Sequence, residues 1–314
     1  MIGLALRRLG WTIVVAWFAV TATFAMTIAI PADPARALLG PHANAETIAR
    51  VRAHYCLDRG FVAEYACFVG HVVRGDLGES FRTKRAVSAI IGEHIGPTLE
   101  LALAAIVLQL GFGIALGVIA ATRRGRWQDR ATSLVGLPGQ SIPIYFIGSL
   151  ALYVFAYRLG WFPIGGAGDG LFGRLHHLVL PALTLAAGGI AYYARAVRVE
   201  MIDALGEDYI RTARAKGLPE RAVIRHALRN ALGPVTTLVG LDLGYLLGGA
   251  MVVETIFGWP GLGRELLQAV LEVDLPLILG IVLVSAIAIA IVNLAVDLVQ
   301  LALDPRLRDE EPRR

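Results

Sequence analysis

The sequence predicts an all-α polytopic membrane protein with six crossing helices, and three observations carry that prediction. Hydrophobic residues make up 56% of the 314-residue chain and charged residues only 17%, against roughly 45–50% and 25% in an ordinary soluble domain. The apolar residues gather in runs long enough to span a hydrocarbon core of about 30 Å. Lys and Arg collect in alternate connections: of 29 basic residues, 18 fall at the two ends, after the second run and after the fourth, and 11 fall elsewhere. That asymmetry orients a chain with its basic loops in the cytoplasm. The runs recur along the whole length, so residues 1–314 are read as one transmembrane domain with both termini cytoplasmic. The net charge of +4 follows from this placement, and no nucleic-acid partner is inferred from it. Membrane lipid is the solvent the chain asks for.

The first crossing is the run at about 9–30, 22 residues or roughly 33 Å as a helix. Arg7 and Arg8 precede it and hold its start inside. A cleaved signal peptide is the rival reading, but the run is long for one and Pro31-Ala32-Asp33 makes a poor cleavage site. An outer loop at 31–96 follows, with helix-like pieces around Glu46–Tyr55, Phe61–Val73 and Ala86–Ile95. It holds both cysteines of the chain, Cys56 and Cys67. On an oxidising face the two can pair; two unpaired thiols on short helices remain the alternative.

The second crossing is placed at about 97–121, with Arg123, Arg124, Arg126 and Arg130 after it against the single acid Asp129. The third, at about 133–157, contains Pro138, Gly139, Gln140, Ser141 and Pro143. Prolines free backbone carbonyls, and broken membrane helices line paths as well as kink for packing, so Gln140 and Ser141 become candidates for a translocation path. Adjacent His176 and His177 point in different directions with no third ligand near, so they are read as an interfacial pair and not a metal site. The fourth crossing, at about 178–194, is the shortest. The fifth, at about 231–256, carries Gly240, Gly244 and Gly248 on one face, a spacing that lets another helix approach closely. Asp242 lies in the same run, either facing a water-filled path or hydrogen-bonded to a neighbouring helix. An amphipathic helix is predicted over Arg264–Val273, and the sixth crossing at about 277–301.

Several chemistries are missing. An ATP-binding P-loop needs Lys followed by Ser or Thr after a glycine-rich loop; Lys84 precedes Arg85 and Lys216 precedes Gly217. No GxSxG elbow or HExxH helix occurs, and the two cysteines without clustered His set no metal site. No catalytic residue is proposed, and the chain is read as no enzyme. A stand-alone secondary transporter asks for ionisable groups near midplane, and Asp242 with Gln109 is a thin offering. What remains is a pore-forming subunit powered by another chain.

The cytoplasmic segment 195–230 supports that. It holds eight Lys and Arg with five Asp and Glu, more than a turn between crossings needs. Within Glu207–Pro234 two short helices are predicted, broken at Gly217-Leu218-Pro219. Gly217 suits the left-handed conformation that ends a helix, and Pro219 suits the first turn of the next. Ala213, Ala215 and Gly217 form a small-residue patch, shaped to fit a groove on a partner. A basic loop lying on anionic lipid is the bland reading, but it requires neither the corner nor the acids.

Tyr209 to Leu218, YIRTARAKGL, resembles the cytoplasmic EAA loop of permease subunits of binding-protein-dependent ABC importers. Anchored on Gly217, Arg211 and Thr212 stand where the usual pattern has Glu and Ala, while Ala213 and Gly217 are kept. That departure is similar to the peptide/nickel branch. Arg74-Gly75-Asp76-Leu77-Gly78, Glu254 to Gly263 and Asp304-Pro305-Arg306 match the same family in order.

The resemblance implies a type I importer architecture in the bacterial inner membrane. Its partners would be a second homologous permease in a heterodimer, two ATP-binding subunits and an extracytoplasmic solute-binding protein. No cofactor is expected in this chain; ATP and Mg would be bound by the partners. Coupling to the ATPases would fall on Tyr209, Arg211, Thr212, Ala213, Arg214, Ala215, Lys216 and Gly217. Di- or oligopeptides are the first substrate class implied, with nickel or glutathione behind. Cys56 to Cys67 match nothing in the family pattern.

Overall fold

The computed structural model describes residues 2–29, 60–132, 134 and 142–303. Apart from one isolated bridge between Glu79 and Ala86, its regular structure is helical. In chain order the helices are α1 (Ile2–Ala29), α2 (Phe61–Val73), α3 (Val87–Thr122) and α4 (Ile144–Ala151). The last continues as a π-helical stretch, Leu152–Arg158. Then come α5 (Gly170–Gly206), α6 (Asp208–Ala215), α7 (Glu220–Ile256), α8 (Leu262–Leu271) and α9 (Leu275–Leu303). A further helical turn covers 127–132. Among the described residues, Val87–Thr122, Gly170–Gly206 and Leu275–Ala295 are long and apolar enough to cross a membrane.

The chain gathers into two compact units. The first joins Met1–Thr98 to Pro260–Ile291. Here α2 lies against α1, with Thr21 and Tyr65 hydroxyls hydrogen-bonded and the Phe24 and Tyr65 rings edge to face at 5.4 Å. A core of Val87, Ile90, Ile91, Leu262, Ala269, Leu277 and Ile281 gathers the start of α3, α8 and the start of α9. Buried Asp274 ties these parts to the preceding loop. Its carboxylate accepts from Ser80 Oγ at 2.5 Å, Phe81 N–H at 3.0 Å and Arg82 N–H at 3.2 Å. Thr98 Oγ1 likewise accepts the Leu262 N–H, at 2.8 Å.

The second unit joins Leu99–Trp259 to Val292–Arg314. One core packs Leu101, Ala105, Leu185, Ala186, Leu246, Val253 and Trp259. Another packs Tyr193, Val197, Met201, Ile210, Val223, Ala227 and Val235, where α5 and α7 run side by side. In lipid no hydrophobic contrast drives helices together, so close approach must come from small residues. Gly113 and Gly117 of α3 supply it. A Cβ on Gly113 would stand 2.6 Å from Tyr193 Cβ, and one on Gly117 2.7 Å from Val197 Cβ and 2.8 Å from the Ala194 carbonyl.

Several helix limits differ from the hydropathy reading, for a common reason. Hydropathy marks where a helix leaves the hydrocarbon, whereas the helix itself ends where its backbone is capped. The piece predicted at Ala86–Ile95 therefore continues without a break through Pro97 into α3. The crossing predicted to be the shortest is part of α5, 37 residues long or about 55 Å. The second short helix predicted after Gly217 is not separate; it is the first turns of α7, also 37 residues. Phe61–Val73 and the amphipathic helix near 264–273 are helical as read, the last as Leu262–Leu271. Pro143, read within the third crossing, is instead the extended residue before α4, at φ −58° and ψ 138°, where its missing N–H breaks no helical rung. Pro138, Gly139, Gln140, Ser141, the piece at 46–55 and the tail from Asp304 lie outside the described residues.

Candidate functional site

Where α5 ends, the chain turns a corner and builds a short exposed helix. Glu207, extended at φ −69° and ψ 152°, breaks α5 and starts α6. Within α6 the apolar residue Ile210 is fully buried, packed among Met201, Val223 and Ala227. It pins α6 to the base of α5 and α7. At the far end Gly217 takes φ +77°, the left-handed conformation that most L-residues avoid. Its N–H donates to the Arg214 carbonyl at 2.9 Å, and the Leu218 N–H donates to the Ala213 carbonyl at 3.2 Å. These two bonds form a Schellman cap, and the Leu218 and Ala213 side chains both pack on the core beneath it.

The corner is strapped from outside as well. Arg214 on α6 donates through Nη2 and Nε to Glu220 on α7, at 2.8 and 3.4 Å. Each partner holds the other ionised: the Glu220 carboxyl lies below its ordinary range and the Arg214 guanidinium above its own, mainly through this bond. Both are exposed, so the strap fixes geometry more than it stabilises the fold. Tyr209, Arg211, Thr212, Arg214, Ala215, Lys216 and Gly217 all face solvent, while Ala213 is half-buried. The small-residue patch is thus divided: Ala215 and Gly217 face outward, and Ala213 faces the chain's own core. The outward face is a capped and strapped knob of mixed charge.

Beside this base, the connection after α3 is locked to α5. Asp129 is almost completely buried. It accepts from Arg198 through Nε at 2.5 Å and Nη2 at 3.0 Å, and from the Gly125 N–H at 2.9 Å. The Arg198 bond first, and the Gly125 bond second, hold its pKa at about 2.

Within the apolar part of the second unit, Tyr193 Oη donates to Asp242 Oδ2 at 3.2 Å. Of the two roles open to Asp242, the structure displays the bond to a neighbouring helix. Gln109, also buried, lies directly over Gly189, and its Oε1 has no hydrogen-bond partner. Among the described residues nothing stands within 4 Å of a Cβ built on Gly248. His176 Nε2 and His177 Nδ1 meet the carbonyls of Trp161 and Gly166, at 2.9 and 3.1 Å. Cys67 lies on α2 and is disulfide-bonded; Cys56 is outside the described residues.

A family described as "Binding-protein-dependent transport system inner membrane component" matches residues 113–309. The N-terminal family of the same transport-system membrane components matches residues 1–102. This chain belongs to that family. Among its relatives are the glutathione transport system permease proteins GsiC of Escherichia coli (strain K12) and Salmonella typhi. Each is 39% identical over 309 residues, covering 98% of this chain and 99% of the relative. In fold the chain is similar to a chain of the MetNI methionine ABC transporter solved in inward-facing conformations. The TM-score is 0.52 at 19% identity, over 69% of this chain and 97% of the other. The chain is a permease subunit of an ABC importer, and the family is one of membrane components rather than ATPases.

For this importer permease, the sequence pointed to the corner but not to what holds it. Ile210 is a lone apolar residue in a polar stretch, which is the signal that it is an anchor. The Arg214–Glu220 strap spans a turn and has no fixed spacing to search for. Gly113 and Gly117 have the same small-xxx-small spacing as Gly240, Gly244 and Gly248, and spacing alone does not say which face is packed. Asp129 was visible as the one acid among four arginines, but its partner lies far along the chain.

Proposed function

We propose that the chain forms half of the translocation path of an importer for short peptides, with glutathione the first candidate substrate. Glutathione is itself a tripeptide, so the peptide-type loop Tyr209 to Leu218 and the similarity to GsiC along 98% of the chain support the same class. Nickel chelates stand behind it. A second permease would complete the path, two ATP-binding subunits holding ATP and Mg would dock below, and a solute-binding protein would deliver substrate from outside. Six crossings with both termini cytoplasmic are part of this reading, as is a Cys56–Cys67 bond in the outer loop. Gln140, Ser141 and Asp242 remain its path candidates.

The observation that carries the coupling role is the α6 knob: seven of its eight named residues, all but Ala213, are exposed, on a base fixed by Ile210 and the Gly217 cap. A rigid handle passes on displacement, where a loose loop absorbs it. Closure of the ATPase pair would move the handle and bias the helices between two states with different contacts. The test is purification of the complex from the native membrane, reconstitution, and ATPase stimulation by its binding protein loaded with glutathione, a dipeptide or nickel. Stimulation and uptake with glutathione or the dipeptide are expected. Solute movement without ATP or partner subunits would overturn the reading in favour of a secondary transporter.

A further inference from the structure

The connection after α3 is more than a positive mark on the cytoplasmic side. Arg123, Arg124, Arg126 and Arg130 are all exposed, and none forms an ion pair among the described residues. Asp129, the one acid of 122–132, is turned inward and consumed by Arg198 and the Gly125 N–H. The same clamp gives the loop a fixed shape, with Gly125 at φ +77°. Trp127 is 73% exposed. Once the Gln128 amide is turned to satisfy its neighbours, its oxygen accepts from Arg123 Nη1 at 2.6 Å and from the Trp127 indole N–H at 3.1 Å. Cations and an aromatic ring are therefore presented together by a built loop.

Its depth says what it meets. From Leu99 through Phe112, Leu116 and Ile119 the exposed side chains of α3 are apolar, the lipid-facing surface of a crossing helix. Arg123 follows Ile119 by four residues, about 6 Å along the axis, which is the thickness of one headgroup layer. The α6 knob stands farther out, because α5 continues eight residues beyond Arg198 to Gly206, about 12 Å. A docked ATPase would meet α6, while the arginine loop stays level with lipid phosphates.

We propose that the loop 123–130 is a binding site for the headgroup phosphates of anionic phospholipids, held open by the Asp129–Arg198 clamp. Arginine forks match phosphate oxygens, and an interfacial tryptophan seats at the same level. The inference rests on the membrane reading of α3, and the importer reading decides only which leaflet supplies the lipid.

The test uses the full chain with its co-purified partners, in phosphatidylcholine vesicles carrying traces of spin-labelled phosphatidylglycerol or spin-labelled phosphatidylcholine. The immobilised fraction of each label is read by electron paramagnetic resonance. Wild type is expected to prefer phosphatidylglycerol, and the R123Q/R124Q/R126Q variant to lose that preference by on the order of fivefold or more. The matching Lys variant, which preserves charge and controls for folding, is expected to keep most of it. Added salt should weaken the preference in wild type. Equal preference in wild type and the Gln variant overturns the proposal. So does loss of the ATPase subunits from the Gln variant with lipid preference intact, which would make the loop a protein contact. The lipid readout is also made on the chain without ATPase subunits, so a failure of the importer reading is seen separately.

Discussion

Replacing Gly217 with valine changes the energy of one backbone conformation and little else. An added Cβ would meet nothing within 4 Å, so the Cβ itself brings no clash with other parts of the chain. The cost lies in φ +77°, which disfavours an L-residue by about 1–2 kcal/mol, with β-branching adding to it. If the corner relaxes instead, it gives up the Gly217–Arg214 and Leu218–Ala213 bonds, a loss of similar size. Either route shifts the equilibrium between the native and relaxed corner by a factor of roughly 5–30. In reconstituted vesicles the G217V complex should insert normally and hydrolyse ATP, while substrate taken up per ATP falls, by up to a factor in that range. Asn visits the left-handed region more readily, so G217N should fall between valine and wild type. Wild-type uptake by G217V would refute the argument that this corner transmits motion.

Other consequences follow from named contacts. The folded-state pKa of Asp129 is depressed from its ordinary 3.8 to about 2, so the clamp's stabilisation is present above about pH 4 and lost as pH falls towards 2. Thermal midpoints of wild type and D129N should differ by a constant amount between about pH 5 and 8 and converge below pH 4; a gap that closes near neutrality would count against it. In D274A, the Ser80 hydroxyl and the Phe81 and Arg82 N–H groups lose a buried acceptor, about 1–3 kcal/mol per unsatisfied group. Trypsin should then cut at Arg82 or Lys84 at least fivefold faster, and unchanged cleavage would dismiss the anchor. G117V should destabilise by about 1–3 kcal/mol through overpacking against Val197 and Ala194. G111A, which meets nothing within 4 Å, should melt like wild type.

The sequence made the all-helical class legible because a membrane imposes it: backbone groups in hydrocarbon must bond within their own segment. It also made the Gly217 corner legible, since a glycine that can end one helix stands two residues before a proline that can start the next. Helix ends were less readable. Nothing in hydropathy distinguishes Arg195–Gly206 as helix from the same residues as loop, because α5 continues there on the packing of Val197 and Met201. The site's supports were harder still. Asp129 pairs with Arg198, and Asp242 with Tyr193, across sequence separations of 69 and 49 residues, which no local pattern encodes. The division of the alanines at 213 and 215 is a matter of helix rotation about Ile210, and only packing sets that.

The uninterrupted run of α7 has a mechanical meaning. Pro234 lies inside it and has no N–H, so the carbonyl of Asn230 loses its rung and the rod is softest there. From Glu220 to Pro234 is 14 residues and from Pro234 to Ile256 is 22, arms of about 21 and 33 Å. A rod of this kind bends at Pro234 before it turns as a whole, so a displacement imposed at the corner would be taken up first in the shorter arm.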